Sequence, residues 1–312
     1  MDPLSDILAL LKPRSFMSRA LDAGGRWSFQ VPRGEGLKCY ALLSGQCWFE
    51  LEGAAEPLWL TAGDCLLLPR PLWFRFASDL TMQPVDVMAV FPQVQAGGVA
   101  SINGGGECFG VGGYFEFAGN HADLLLGALP PIVHIKKEDD KAALRWCLDR
   151  IRQELREPQP GGALIAEHLV HMLLLQALRL HIAEGSSGGV GWLFALADHQ
   201  ISAAISAMHR EPARRWTLQA LAAVAGMSRS SFALRFKTMV GVSSMEYLTR
   251  WRMLLAGDRL STSRDSISVI APALGYESES AFSTAFKRVM GCPPRHYGRR
   301  GRDARVSGYA AS

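Results

Sequence analysis

The sequence predicts an α+β chain of two domains. The first is a barrel of short β-strands with a pair of helices; the second is all-helical and built from a duplicated helix-turn-helix. Three observations predict this. Between Trp27 and Phe91, short apolar runs alternate with turn residues, as in all-β barrels and sandwiches. From about residue 138 the apolar spacing becomes helical. The stretch Ser228–Tyr247 then recurs at 278–297: serine, two phenylalanines four apart, lysine, glycine and tyrosine all return at an offset of 50. Self-similarity at a fixed period signals a repeated structural unit. Two copies make a duplicated module, not a solenoid.

A length of 312 residues, 48% hydrophobic and 20% charged, describes an ordinary globular chain with room for about two domains. The net charge of +4 is unevenly spread: residues 196–312 carry 17 Lys+Arg against 8 Asp+Glu, and residues 1–195 carry 16 against 21. A basic C-terminal third points to a polyanion partner for that third alone. Met1–Leu11 is acidic and lacks the apolar core of a secretory signal. The most apolar run, Leu164–Ile182, contains Glu167, His168, His171, Gln176, Arg179 and His181, and reads as too polar to span a bilayer. The six cysteines show no CxxC spacing, and Cys39, Cys47 and Cys65 sit in strand-like apolar runs. They read as reduced, packed thiols of a cytoplasmic protein.

In chain order, residues 4–12 form a short amphipathic helix ended by Pro13. Strand patterns follow at 40–43, 47–51, 58–60, 65–68 and 73–76, broken by Ser44-Gly45, Gly53, Ala62-Gly63-Asp64, Pro69 and Pro71. The Gly-rich loop 104–106 has no GxGxxG spacing and reads as a hairpin tip before the strand 112–117. Leu144, Cys147, Leu148, Ile151 and Leu155 mark an amphipathic helix over 138–157. The helix 163–183 is apolar nearly all round, which predicts burial between several partners. The pair reads either as a dimerisation element or as packing on the barrel of the same chain. Gly- and Ser-rich residues after Glu184 make a linker. The expected boundaries are 1–185 for the barrel domain, 186–195 for the linker, 196–300 for the helical domain and 301–312 for a disordered basic tail.

In the helical domain Asp198 opens a helix to about His209, and Thr217 caps the helix 218–225, with Gly226 at its end. Ser228 caps a helix to Val240, closed by Gly241. Helix, tight Gly-containing turn, helix is the helix-turn-helix pattern. A long helix over about 243–260 joins the copies, with Met245, Leu248, Trp251 and Leu255 along one face. Ser266 caps the next short helix, and Ser278 the last one. The second turn is one residue longer than the first.

Phe232 and Phe236 share one helix face, as do Phe282 and Phe286, and should anchor each second helix. The opposite faces carry Arg229, Ser230, Ala233, Leu234 and Lys237 in one copy, and Glu279, Ser280, Ser283, Thr284 and Lys287 in the other. Small polar side chains at the N-terminal turn allow entry into a DNA major groove. Arg235, Lys237, Lys287 and Arg288 would meet phosphates. Two such helices on one long connector would read groove segments about one DNA turn, roughly 34 Å, apart.

With these residues in place, the resemblance is clear. Residues 197–300 resemble the AraC/XylS family of bacterial transcription regulators, through Ala225-Gly226-Met227-Ser228, Phe232 to Lys237, Gly241, Tyr247-Leu248, Arg252, Leu274-Gly275-Tyr276-Glu277-Ser278, Phe282-Ser283, Ala285-Phe286-Lys287, Gly291, Pro294 and Tyr297. The resemblance implies a seven-helix double helix-turn-helix bound to double-stranded promoter DNA. By position, the base-facing residues are Ser230, Ala233 and Leu234, then Ser280, Ser283 and Thr284. RNA polymerase is a further partner that it allows. Two departures stand out: Leu234 occupies a position where many relatives carry Arg, and Pro272 lies inside a short helix, where it removes a backbone donor.

The runs Leu43–Phe49 and Leu60–Pro69 resemble the cupin barrel of sensory members of that family. Cupin enzymes hold a metal with histidines and a carboxylate, but no histidine precedes His121 here. The reading is therefore no metal, no cofactor and no catalytic residue. His168 and His171 read as core or interface histidines. The barrel interior, expected to be lined by Trp48, Phe49, Trp59, Trp73 and Phe76, would either be a filled core or take a small apolar or aromatic effector. Cys108 is the candidate redox thiol. The expected protein is an effector-responsive regulator and a homodimer. Two alternatives stay open: a cupin enzyme fused to a DNA-binding module, and a barrel that only dimerises.

Overall fold

The structure, a computed structural model, describes residues 2–90, 98–117, 126–127, 129–157, 159–184 and 190–299. The expected basic tail 301–312 lies outside the described residues. The chain divides into two compact units: Pro13–Ala118 with Leu129–Glu184, and Met1–Lys12 with Gly119–Ala128 and Gly185–Ser312.

The first unit is β-rich. Its strands are β1 (Arg14–Ala23), β2 (Ser28–Val31), β3 (Leu37–Ser44), β4 (Gln46–Leu51), β5 (Leu58–Thr61), β6 (Cys65–Leu68), β7 (Phe74–Ala77), β8 (Val85–Asp86), β9 (Val99–Ile102), β10 (Cys108–Glu116) and β11 (Val133–Ile135), with a helical turn α2 (Val87–Val90) between β8 and β9. Among the described residues they form a six-stranded sheet, β11-β6-β3-β10-β1-β9, and a five-stranded sheet, β5-β4-β7-β2-β8. The chain changes sheet between β3 and β4 at Gly45. Its φ of +80° suits glycine, and an added Cβ would lie 2.1 Å from the Glu107 carbonyl oxygen. Leu21, Leu42 and Leu66 of one sheet and Phe29, Phe49, Phe74 and Phe76 of the other share one buried core.

The glycine loop 104–106 is not a hairpin tip. β9 pairs parallel with β1, and β10 pairs antiparallel with β1 on its other edge. The loop therefore steps over the end of β1. Asp22 on that strand accepts from the Gly106 N–H at 2.7 Å.

Two helices complete this unit: α3 (Glu138–Arg156) and α4 (Gly162–Glu184). Leu144, Cys147, Leu148 and Ile151 of α3 are buried, as their spacing predicts. α4 packs on α3, β1, β6 and β11, yet Leu164, Ile165 and Met172 are 58%, 40% and 41% exposed. It is not enclosed on every side, because an all-apolar helix does not specify which of its faces finds a partner. His168 is exposed, not in the core, while His171 is half-buried and meets the Phe115 ring edge-on at 6.0 Å. By length and composition, Gly162–Ala183 could also cross a membrane, despite its histidines and charges.

The second unit is helical: α1 (Pro3–Leu11), α5 (Trp192–Ala195), α6 (His199–Arg210), α7 (Leu218–Val224), α8 (Arg229–Val240), α9 (Ser244–Thr262), α10 (Ile267–Ala273) and α11 (Glu279–Met290). Local chemistry sets most ends. Asp198, Thr217, Ser228, Ser243 and Ser278 each accept a backbone N–H three residues on. Gly241 and Gly291 close α8 and α11 in the left-handed region. Ser266 precedes α10 without capping it; its hydroxyl pairs with Ser268 instead. In α9, Leu248, Trp251 and Leu254 are buried but Met245 is 40% exposed. The buried surface wraps around the helix because both modules pack on it.

Two segments sit differently from their sequence-based boundaries. The 1–185 boundary groups α1 with the barrel, but α1 packs on α6 and α9 of the helical unit. Leu4, Ile7, Leu8 and Leu11 are buried there, and Lys12 pairs with Asp258 at 2.5 Å. The 186–195 linker ends in α5, whose Leu193 and Ala195 are fully buried. The Gly191 N–H donates to the Met239 carbonyl at 2.8 Å.

Candidate nucleic-acid interface and barrel cavity

Each module is a helix, a turn and a capped second helix: α7 and α8, then α10 and α11. Phe232 and Phe236 are fully buried with ring centroids 5.5 Å apart, and Phe282 and Phe286 are fully buried at 5.8 Å. Tyr247 closes on Phe236 at 6.0 Å, and Tyr297 on Phe286 at 5.5 Å. With those faces anchored, the opposite ones face outward. Arg229, Ser230, Leu234, Arg235 and Lys237 are exposed and Ala233 is half-buried; Ser280, Thr284, Lys287 and Arg288 are exposed and Ser283 is half-buried. Each set lies on one helix. Arg235 is the exception in availability, since it pairs with Asp198 and donates to Gln200 at 3.2 Å. It is an internal tie from α8 to α6 rather than a free cation.

A buried network supports the first module from behind. His209 on α6 stacks on Trp251 with ring centroids 3.9 Å apart. Its Nε2 is 2.8 Å from the Tyr247 hydroxyl and its Nδ1 is 3.3 Å from Asp6. Burial lowers the His209 pKa to about 3, so the ring is neutral at pH 7. The contact with Asp6 is therefore a hydrogen bond from Nδ1–H, not an ion pair.

Between the two sheets of the barrel lies a cavity of about 230 Å³. Its wall is mainly apolar and aromatic, including Leu21, Trp27, Phe29, Tyr40, Leu66 and Phe76. Of the aromatic residues expected to line the interior, Phe76 does so. Phe49 is fully buried beside it, at 5.1 Å. Trp48 and Trp59 do not: they meet edge-to-face at 4.8 Å on the other face of the small sheet, and Trp59 is 41% exposed. In β4 the inward residues are Cys47, Phe49 and Leu51, and a strand turns alternate residues to opposite faces. Trp73 is half-buried, outside the cavity wall.

Besides Tyr40 and Trp27, the polar side chains of the wall are Cys47, Cys108 and Asp64. Cys47 and Cys108 are buried. Their mutual hydrogen bond lowers the Cys108 thiol and, with burial, pushes Cys47 far up. Asp64 is buried, and Lys141 lies 2.8 Å and His134 3.2 Å from its carboxylate. Burial alone would raise the Asp64 carboxyl; hydrogen bonds from His134, Lys141 and the Thr61 N–H outweigh it and hold it below its usual range. This carboxylate is spoken for. Among the described residues no three His, Cys, Asp or Glu side chains cluster as a metal-binding set.

Residues 2–183 match the cupin family model and residues 221–300 the helix-turn-helix domain model. A putative AraC-like transcription regulator of Streptomyces lividans is 44% identical over 95% of this chain and 98% of its own length. The HTH-type transcriptional regulator AlkR of Acinetobacter baylyi is 31% identical over 88% of this chain and 91% of its own. Among solved structures, the DNA-binding domain of AdpA in complex with a target DNA is 29% identical, covering 33% of this chain and 93% of that one, with a TM-score of 0.32.

Proposed function

The chain belongs to the AraC-like family of transcription regulators, and we propose that it binds promoter DNA through α8 and α11 under the control of a small molecule held in the barrel. The observation that carries this reading is the pair of capped helices, each pinned by two buried phenylalanines and each turning small polar side chains and exposed cations outward. Capped N-termini add backbone amide donors for phosphates. Arg229, Lys237, Lys287 and Arg288 supply charge. Ser230, Ala233, Ser280, Ser283 and Thr284 are short enough to let the helix enter the groove. The barrel cavity suits a compact, uncharged apolar or aromatic effector, since its carboxylate already has partners. No catalytic role is assigned to it.

In this reading the protein acts in the cytoplasm as a homodimer. Exposed Trp146 on α3 and Leu164, Ile165 and Met172 on α4 are the apolar surface that a second copy would cover. RNA polymerase would be met on a surface left free of DNA.

The test is binding of the full chain to fragments of its own upstream region and to random duplexes, across a salt series. Steep salt dependence together with preference for one fragment is expected. Equal affinity for all duplexes would defeat the reading. Stoichiometric iron, manganese, zinc or nickel in the purified chain, with turnover of a substrate, would favour a cupin enzyme instead.

A further inference from the structure

Leu234 is 72% exposed in the middle of α8, on the face that carries Ser230, Ala233 and Lys237. No packing within this unit explains an apolar side chain there, because the helix is anchored from the other side by Phe232, Phe236 and Val240. Its counterpart at the offset of 50 is Thr284 on α11, also exposed. A leucine can neither donate nor accept a hydrogen bond. In a DNA major groove the apolar feature available to it is the C5-methyl group of thymine. The geometry points to Leu234 as the residue that reads a thymine methyl in the half-site met by α8. This inference rests on α8 being a reading helix.

Two details support a specific contact. Ser230 and Ala233, one turn and one residue before Leu234, are too short to hold the leucine away from the base edges. Lys237, one turn later, is exposed and can take the adjoining phosphate, fixing the depth of the helix. The second module has the same frame with a threonine, so methyl reading should be stronger in one half of the site than in the other.

The test begins with duplexes selected from a random library by the full-length chain. Each thymine is then replaced singly by deoxyuridine, which removes the methyl and nothing else. At one or two positions in one half-site the substitution should weaken the natural chain about fourfold (about 0.8 kcal/mol, the value of one buried methyl or methylene). Leu234→Ala should bind the thymine duplex about as weakly and show no further loss with deoxyuridine. Being exposed, it should fold normally. In the double exchange Leu234→Thr with Thr284→Leu, the sensitive position should move to the other half-site, about one DNA turn away.

The inference is overturned if no thymine is methyl-sensitive, or if Leu234→Ala keeps the full penalty. It is also overturned if Leu234→Ala lowers promoter output while affinity and methyl sensitivity stay unchanged, since the leucine then meets a protein. Failure of the underlying reading looks different: Arg229→Ala and Lys237→Ala would leave affinity for every duplex unaltered.

Discussion

In the first module Gly226 turns the chain with open space around it, whereas in the second Gly275 turns it against Ala213, where a Cβ would sit 2.4 Å from the carbonyl oxygen. The second turn is longer and follows a helix that contains Pro272 and has no capping bond at Ser266. By those signs it should be the looser module. Arg252 on α9 offsets them. It donates to the Pro212 carbonyl at 2.6 Å and the Arg214 carbonyl at 2.9 Å, and its guanidinium lies 5.7 Å from the centre of the Tyr276 ring. Tyr276 in turn meets Phe282 edge-on at 5.6 Å. The first turn takes one outside hydrogen bond, from Gln200 on α6 to the Ala225 carbonyl at 3.1 Å, and the second is held through Tyr276 by Arg252 and Phe282. Turn length is therefore a poor guide to how firmly the second helix of a module is held.

Core truncation gives the largest effect. Phe232→Ala and Phe282→Ala should each cost about 3–5 kcal/mol in denaturant unfolding of the helical unit. A much smaller loss for Phe282→Ala would show that the second core is soft and break the comparison. Removing the clamp comes next. Arg252→Ala should cost about 1–3 kcal/mol through two lost hydrogen bonds to carbonyls. Amide exchange should speed up at residues 274–277 and remain unchanged at 226–228; a uniform rise across both turns would contradict the assigned role.

Acid should strike the network behind the first module. His209 has a folded pKa of about 3, against an unfolded value of about 6.5. As pH falls below 6.5 the unfolded chain takes up a proton that the folded chain refuses, so stability falls. The loss should be roughly 1 kcal/mol between pH 6.5 and 5.5, read from urea midpoints, and absent in His209→Gln. The smallest effects are at the caps. Ser278→Ala should cost about 1 kcal/mol, while Ser266→Ala should be nearly neutral because its hydroxyl caps nothing. Equal losses in thermal melts would restore Ser266 as a cap.

Much of the helical unit is legible in the sequence because its signals are local. Asp198, Thr217, Ser228, Ser243 and Ser278 announce helix starts, and Gly241 and Gly291 announce ends, within four residues of the bonds they make. What the sequence leaves open depends on distant partners. An amphipathic helix at 3–11 does not say what will cover Leu8 and Leu11. Gly104–Gly106 looks like a hairpin tip until β1 is known to lie between β9 and β10. Trp48 and Trp59 look like pocket residues until the β4 register turns Cys47 and Phe49 inward instead. The outward faces of α8 and α11 are legible for the opposite reason, since paired phenylalanines one turn apart place everything else on their helix.

The most direct test of paired reading is a hydroxyl-radical footprint of the full chain on its selected duplex. Two protected segments should appear, separated by about one DNA turn, roughly 10 base pairs. Thr284→Ala should weaken only the segment that Leu234→Ala leaves intact. A single protected segment, or two that fade together in either variant, would contradict the account.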